Sequence, residues 1–264
     1  MDFLNVKDKI FLITGVANKK SVAYFTAKSL KEYGANIILT VQNENNLEKT
    51  KKLFPDTSIV ICDVEQKEHL VDLNKYLVNE NIKIDGFLHS IAFANYSEGI
   101  KPFHETNIED FFQASHISCL SLLTITNAIK NQFQRNASIV TISISSTRAT
   151  SYGYMGPIKA ALDSSVAFLA KSLSEFSNIR VNAVCSGPLK TSASAGIPGY
   201  INNYIFAEKL TLRKKALNTQ EVANTACFLL SPSSSGINAT GVVIDAGMSC
   251  NYFDQEVVDT VANN

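Results

Sequence analysis

Two groups of residues in this chain have types and spacings that suit chemistry. The first is a turn. An apolar run ending at Thr14-Gly15 leads through Val16-Ala17-Asn18-Lys19-Lys20 to Ser21 and Val22, where a helical period begins. Strand, turn and helix in that order aim backbone N–H groups and the positive end of a helix dipole at an anion. Gly15 permits a sharp turn, and Ser21 suits either a helix cap or a contact to a phosphate oxygen. The GxGxxG fingerprint is absent, so the same residues also suit an ordinary βα turn with a capping serine. The second group is a phenol and an ammonium. Tyr152 and Lys159 stand seven residues apart, close to two helical turns, which places both on one face if the stretch is helical. Pro157 lies between them and fits a first helical turn, so regular helix is expected from about Gly156–Pro157, with Tyr152 on the entering turn. Tyr154, two positions on, points elsewhere.

The elements that must hold these residues follow from hydrophobic period. Short apolar runs alternate with longer stretches of helical period, the pattern of a parallel sheet with crossover helices. Strands are expected at Ile10–Thr14, Asn36–Val41, Ser58–Cys62, Ile84–His89, Ser138–Ser143, Ile179–Val184 and Val242–Asp245. Helices are expected near 21–33, 66–79, 107–132, 158–176 and 220–230. Several strands are apolar throughout, as helices covering both faces require. The fold class is α/β: a single doubly wound parallel sheet of Rossmann type, about seven strands, with flanking helices.

Open sheets of this kind bind ligands at the carboxyl ends of their strands. Those ends carry Gln42-Asn43, Cys62-Asp63-Val64 and Ser90-Ile91-Ala92. Asp63 is placed to accept from an adenine amino group, and Ser90 to Ala92 to line a ribose and phosphate path. Each alone also suits an ordinary strand end; their joint placement is what points to a nucleotide. The second strand ends in neutral Gln42 with Glu44 nearby, without the Arg or Lys that a 2′-phosphate needs, which favours NADH over NADPH.

Composition excludes several classes. Of 264 residues, 45% are apolar and 18% charged, and 24 basic residues balance 24 acidic ones. A zero net charge argues against a nucleic-acid binder. The five cysteines are scattered, and neither they nor the four histidines have metal-ligand spacing, so no disulfide scaffold or metal site is expected and a reducing compartment is. No apolar run approaches the roughly 20 residues that span a bilayer, and the start lacks the layout of a secretory signal. The expectation is a cytoplasmic protein without membrane contact. No linker or repeat interrupts the chain, so 1–264 reads as one domain, with 255–264 a tail that could fray or dock.

Together these residues resemble the short-chain dehydrogenase/reductase superfamily, and within it the enoyl-acyl-carrier-protein reductase branch, over about residues 5–250. The resemblance is carried by Thr14-Gly15 with the stretched turn to Ser21-Val22-Ala23, Cys62-Asp63-Val64, His89-Ser90-Ile91-Ala92, and Tyr152 with Lys159. It continues through Arg180-Val181-Asn182-Ala183, Ser186-Gly187-Pro188-Leu189-Lys190-Thr191, and Gly241 to Asp245-Ala246-Gly247. The seven-residue Tyr–Lys spacing selects the branch; most short-chain reductases place the tyrosine four residues before the lysine, where this chain has Met155.

The resemblance implies hydride transfer from NADH to the β-carbon of a trans-2-enoyl thioester on an acyl carrier protein or coenzyme A, in fatty-acid elongation. It makes Tyr152 the phenol that stabilises charge on the thioester oxygen and Lys159 the holder of the nicotinamide ribose. Leu189 would bind the nicotinamide amide through its backbone, with Thr191 nearby. Cofactor contacts are thus expected from Gly15, Ser21, Val22, Gln42, Asp63, Val64, Ser90, Ile91, Ala92, Lys159, Leu189 and Thr191. Residues 192–212 would form a substrate-binding lid, or else an ordinary amphipathic surface helix. Substrate contacts are expected from Ala94, Ile144, Tyr152, Ala193, Ile197 and Tyr204. A homotetramer is implied as well.

Two features depart from the family. Ile144 stands where a second aromatic residue, often tyrosine, is usual, and Ser143 or Ser145 offers a hydroxyl instead. Residues Gly199 to Ala207 contain no Lys or Arg to steer an acidic carrier, although Lys190, Lys209, Arg213, Lys214 and Lys215 flank the lid. Two alternatives therefore stand beside the reductase: a carbonyl or hydroxyl oxidoreductase using Ser143 or Ser145 with Tyr152, and a catalytically silent dinucleotide-binding paralogue.

Overall fold

A computed structural model describes residues 3–99, 101–191, 194, 197 and 199–263. The seven apolar runs form strands β1 (Ile10–Thr14), β2 (Asn36–Val41), β3 (Ser58–Ile61), β4 (Ile84–His89), β5 (Phe133–Ile144), β6 (Arg180–Ser186) and β7 (Thr240–Ile244). They make one sheet in the order β3-β2-β1-β4-β5-β6-β7, with every neighbouring pair parallel. The chain builds outward from β1 to β3, returns to β4, and builds the other way. That reversal beside β1 opens the crevice where such sheets bind ligands.

The helices are α1 (Val22–Glu32), α2 (Glu44–Leu53), α3 (Lys67–Asn79), α4 (Ile108–Ser115), α5 (Ser121–Ile129), α6 (Met155–Leu173), α7 (Tyr200–Leu210), α8 (Thr219–Leu230) and α9 (Gln255–Ala262). Strand alternation sends side chains to two cores. Phe11 and Ile13 of β1 pack with Ala23 and Leu30 of α1 and with Val222 and Ala226 of α8. Leu12, between them, packs on the other side with Leu73 of α3, Leu122 of α5 and Leu162 of α6. Covering both faces is the doubly wound arrangement expected from the apolar strands.

The departures from the expected elements have local causes. Helix α2 buries only Thr50, so it has no apolar stripe to betray it; Asn43 caps it by accepting from Asn46 N–H at 3.0 Å. The span 107–132 is divided: a π turn (His116–Leu120) separates α4 from α5, and a 3-10 turn ends at Gln132. Strand β5 starts five residues before its expected beginning. Helix α6 starts at Met155 rather than 158, with Pro157 in its first turn, where a missing N–H costs nothing. The 255–264 tail is helical over Gln255–Ala262, capped by Asp254, and ties to α7 through Lys209–Glu256 at 3.2 Å and Asn251 Nδ2 donating to Leu210 O at 2.9 Å.

Candidate active site

The carboxyl ends of all seven strands open into one cleft of about 1240 Å³, lined by Gly15, Gln42, Asp63, Ser90, Ser145, Gly187 and Met248 after β1 to β7 in turn. Its size exceeds the roughly 300–1,000 Å³ of a drug-sized pocket and suits a dinucleotide together with a substrate.

At the nucleotide end, Thr14 ties β1 to β4: its hydroxyl donates to Leu88 O at 3.0 Å and accepts from Ser90 N–H at 3.2 Å. Gly15 then turns with φ +85°, and a Cβ there would lie 1.9 Å from Ser90 O. Only glycine lets the first turn press this close to the end of β4, and the turn leaves a backbone cradle of a kind that suits a pyrophosphate. Ser21 caps α1, accepting from Tyr24 N–H at 3.1 Å while its proton goes to Asn18 O at 3.0 Å. Of the two roles open to it, the capping one is filled. Asp63 accepts from Glu65 N–H at 3.0 Å and from Gln42 Nε2 at 3.4 Å, so the ends of β2 and β3 are joined. The backbone turn, the α1 terminus and the carboxylate at the far rim together fit an adenine dinucleotide.

At the other end lie the phenol and the ammonium. Tyr152 sits on a 3-10 turn (Thr150–Tyr152) leading into α6, its N–H donating to Ala149 O at 2.9 Å. Gly153 follows with φ +62°, a left-handed turn that sets the helix direction. Burial pushes the Tyr152 phenol above its usual range, so it stays protonated and able to donate. Lys159 is 4% exposed and donates to Ile142 O at 2.8 Å. Burial pulls its pKa down to about 8, against the opposing pull of Asp163. Tyr154 turns into the core beside Tyr96 and Phe111, donating to Asn95 O, as its offset from Tyr152 requires.

The wall expected to recognise a nicotinamide amide is engaged by Ser194 and Tyr200. Leu189 N–H donates to Tyr200 Oη at 2.9 Å, and Leu189 O accepts from Ser194 Oγ at 2.8 Å. Thr191 N–H donates to the same Ser194 Oγ at 2.9 Å. Lid side chains thus satisfy both backbone groups of Leu189. Beyond them, Phe93, Ile144, Phe206, Leu210, Met248 and Tyr252 give the mouth an apolar lining.

The cleft therefore gathers Gly15, Ser21, Val22, Gln42, Asp63, Val64, Ser90, Ile91, Ala92, Ile144, Tyr152, Lys159, Leu189 and Thr191. Three expected substrate contacts are not among the described residues that line it. Ala94 packs against the α6-side core, Ile197 is buried, and Tyr204 is buried with Lys190 Nζ 4.4 Å above its ring. Ala193 lies outside the described residues. Sequence reading missed Tyr200 and Ser194; a tyrosine ending a glycine-containing turn was the available signal, but its bond to Leu189 is a tertiary fact. Three of the five cations flanking the 192–212 segment are paired: Arg213 with Glu221 at 2.6 Å, Lys209 with Glu256, and Lys214 with Asp254. Among the described residues no cluster of His, Cys, Asp or Glu could hold a metal, and no helix is long and apolar enough to cross a membrane.

Comparison with known proteins places this geometry. A family model described as enoyl-(acyl carrier protein) reductase matches residues 15–249, from the β1–α1 turn to beyond β7. The enoyl-[acyl-carrier-protein] reductase [NADPH] of Staphylococcus aureus strain MRSA252 is 33% identical over 251 residues, covering 92% of this chain and 98% of its own. The corresponding [NADH] enzyme of Enterococcus faecalis strain V583 is 35% identical over 246 residues, with the same coverage of 92% and 98%. Among solved structures, the enoyl-[acyl-carrier-protein] reductase (NADH) of Aquifex aeolicus VF5 has a TM-score of 0.88 at 32% identity, covering 92% of this chain and 97% of that one. With the family model spanning residues 15–249 and relatives 33–35% identical over nearly their whole length, the chain belongs to the enoyl-(acyl carrier protein) reductase family.

Proposed function

We propose that this chain reduces trans-2-enoyl thioesters, carried on an acyl carrier protein, with NADH as the hydride source in fatty-acid elongation. The observation that carries the reading is the convergence of Tyr152 and Lys159 on one cleft with a nucleotide cradle at one end and an apolar mouth at the other. Relatives named for NADH and for NADPH both occur. The end of β2 favours NADH, because Gln42, Asn43 and Glu44 present no cation and the Asn43 side chain is committed to capping α2.

The chemistry that NADH supplies when bound is hydride delivery to the β-carbon. Tyr152, protonated and facing the cleft, stabilises the negative charge that then develops on the thioester oxygen. Lys159 would hold the nicotinamide ribose and add positive potential beside the same oxygen. Gly15 and the α1 terminus would hold the pyrophosphate, Asp63 the adenine, and Leu189 with Thr191 the nicotinamide amide once Tyr200 and Ser194 release them. Phe206, Leu210 and Met248 exclude water from the acyl chain.

Carbonyl reduction is a second reading, favoured by Ser143, which is buried and lines the same cleft. One assay separates them: NADH oxidation with a medium-chain enoyl thioester and with the matched β-ketoacyl thioester. Enoyl-dependent turnover that falls about a hundredfold in Tyr152→Phe, equivalent to roughly 3 kcal/mol of lost stabilisation, supports the enoyl reading. Turnover with the keto substrate alone overturns it.

The proposal extends to a cytoplasmic homotetramer. Ile108 and Phe112 of α4 and Phe168 of α6 are exposed on adjoining helices, an apolar face that assembly would cover. All five cysteines are free thiols, which suits a reducing compartment.

A further inference from the structure

One half-buried carboxylate has no part in the chemistry above. Asp163 lies one turn beyond Lys159 on α6, a spacing that stacks the two side chains on one helix face. That face looks onto the end of β5, where Lys159 Nζ donates to Ile142 O at 2.8 Å. Ile142 packs toward α1 and α8, so strand alternation turns Ser143 toward α6. Ser143 Oγ and Asp163 Oδ1 are both fully buried, and the Ser143 hydroxyl faces the Asp163 carboxyl: burial raises that carboxyl's pKa, while Ser143 and the Lys159 ammonium pull it back down.

The groups facing Lys159 come from four elements: Asp163 on α6, Cys119 on the π turn, Cys185 on β6 and His89 on β4. Burial raises both thiols above their usual range, Cys185 to about 12, so they are neutral. His89 is held neutral too, its pKa pulled down to about 3 by burial and by the charge of Lys159. A carboxylate is the one group of the four that can bear negative charge at neutral pH.

We propose that Asp163 is a positioning residue for the reductase: its half-buried carboxylate is the counter-charge that keeps Lys159 an ammonium. The inference rests on the proposed role of Lys159 as ribose holder and adds what maintains its charge. The sign is fixed by Coulomb's law. Burial drives Lys159 toward the neutral amine, Asp163 opposes this, and removing Asp163 lets the proton leave at lower pH.

The test is NADH binding to the full-length protein between pH 6 and 10, followed by nicotinamide fluorescence without any thioester. In the native protein, affinity falls as pH rises through about 8. In Asp163→Asn the fall begins at least one pH unit lower, a tenfold change in the proton equilibrium. Asp163→Glu restores most of the native profile, and Asp163→Ser repeats the shift should Asn unfold the chain. In a Lys159→Arg background the Asn substitution moves nothing, because a guanidinium does not titrate in this range. A lowered melting temperature with an unmoved alkaline limb assigns Asp163 a purely structural part and overturns the proposal. Failure of enoyl turnover with a shifted binding profile overturns the proposed reaction and leaves this inference standing.

Discussion

Substituting Tyr200 by phenylalanine removes one oxygen atom, and the structure assigns that oxygen a definite task. Tyr200 Oη accepts the Leu189 N–H at 2.9 Å, occupying the donor that the proposed function gives to the nicotinamide amide. A cofactor that uses Leu189 must first displace the phenol. Without it, Leu189 N–H stands unpaired in the free protein and a ligand oxygen meets no competitor. A neutral hydrogen bond of this kind is worth about 0.5–1.5 kcal/mol net, so NADH should bind roughly 2- to 12-fold more tightly to Tyr200→Phe. ADP-ribose, which lacks the nicotinamide ring and never reaches Leu189, should bind with unchanged affinity. Isothermal titration of both ligands against both proteins measures the difference directly. Equal shifts for the two ligands, or weaker NADH binding in the variant, would refute the competition between lid and cofactor.

Two further outcomes are expected. His89 bonds through Nδ1 to Thr141 Oγ1 and through Nε2 to Ser121 Oγ, both at 2.8 Å, and its pKa falls from 6.5 to about 3. The unfolded chain therefore takes up this proton first. Stability present above pH 6.5 is lost toward pH 3, at up to about 1.4 kcal/mol per unit. Urea midpoints between pH 6.5 and 4.5, above the carboxylate range, should fall steeply in the native protein and less steeply in His89→Asn; parallel slopes would rule His89 out. Light scattering should give four times 28.9 kDa for the native chain and a smaller mass for Phe168→Lys, whose side chain is 76% exposed; a native mass of one chain would sink the tetramer.

The sheet was legible because its signal is local. Seven short apolar runs alternating with helical stretches name seven strands, and the several that are apolar throughout name a sheet covered on both faces. The nucleotide end was nearly as legible, because strand ends converge in any open α/β sheet. Helix α2 escaped detection because a helix burying only Thr50 leaves no periodic trace. The break at His116–Leu120 escaped because a π turn preserves the apolar pattern while adding a residue to the ladder. Ala94, Ile197 and Tyr204 do not line the cleft in this structure, because sequence position alone does not say which side chains of a segment face inward.

Sequence alone determined the α/β class, the strand ends that form the nucleotide crevice, and the Tyr152–Lys159 spacing with Pro157 marking the helix start. Each depends on periodicity, turn chemistry or spacing within a few residues. Only the tertiary structure decided what Lys159 and Leu189 meet. Asp163 meets Ser143 because α6 packs on β5, Leu189 meets Tyr200 across the loop after β6, and Arg213 and Lys214 are spent because Glu221 and Asp254 reach them. Charge and hydrogen bonding act through space at a few ångströms, and residues that distant in the chain become neighbours only when the sheet and its helices are assembled.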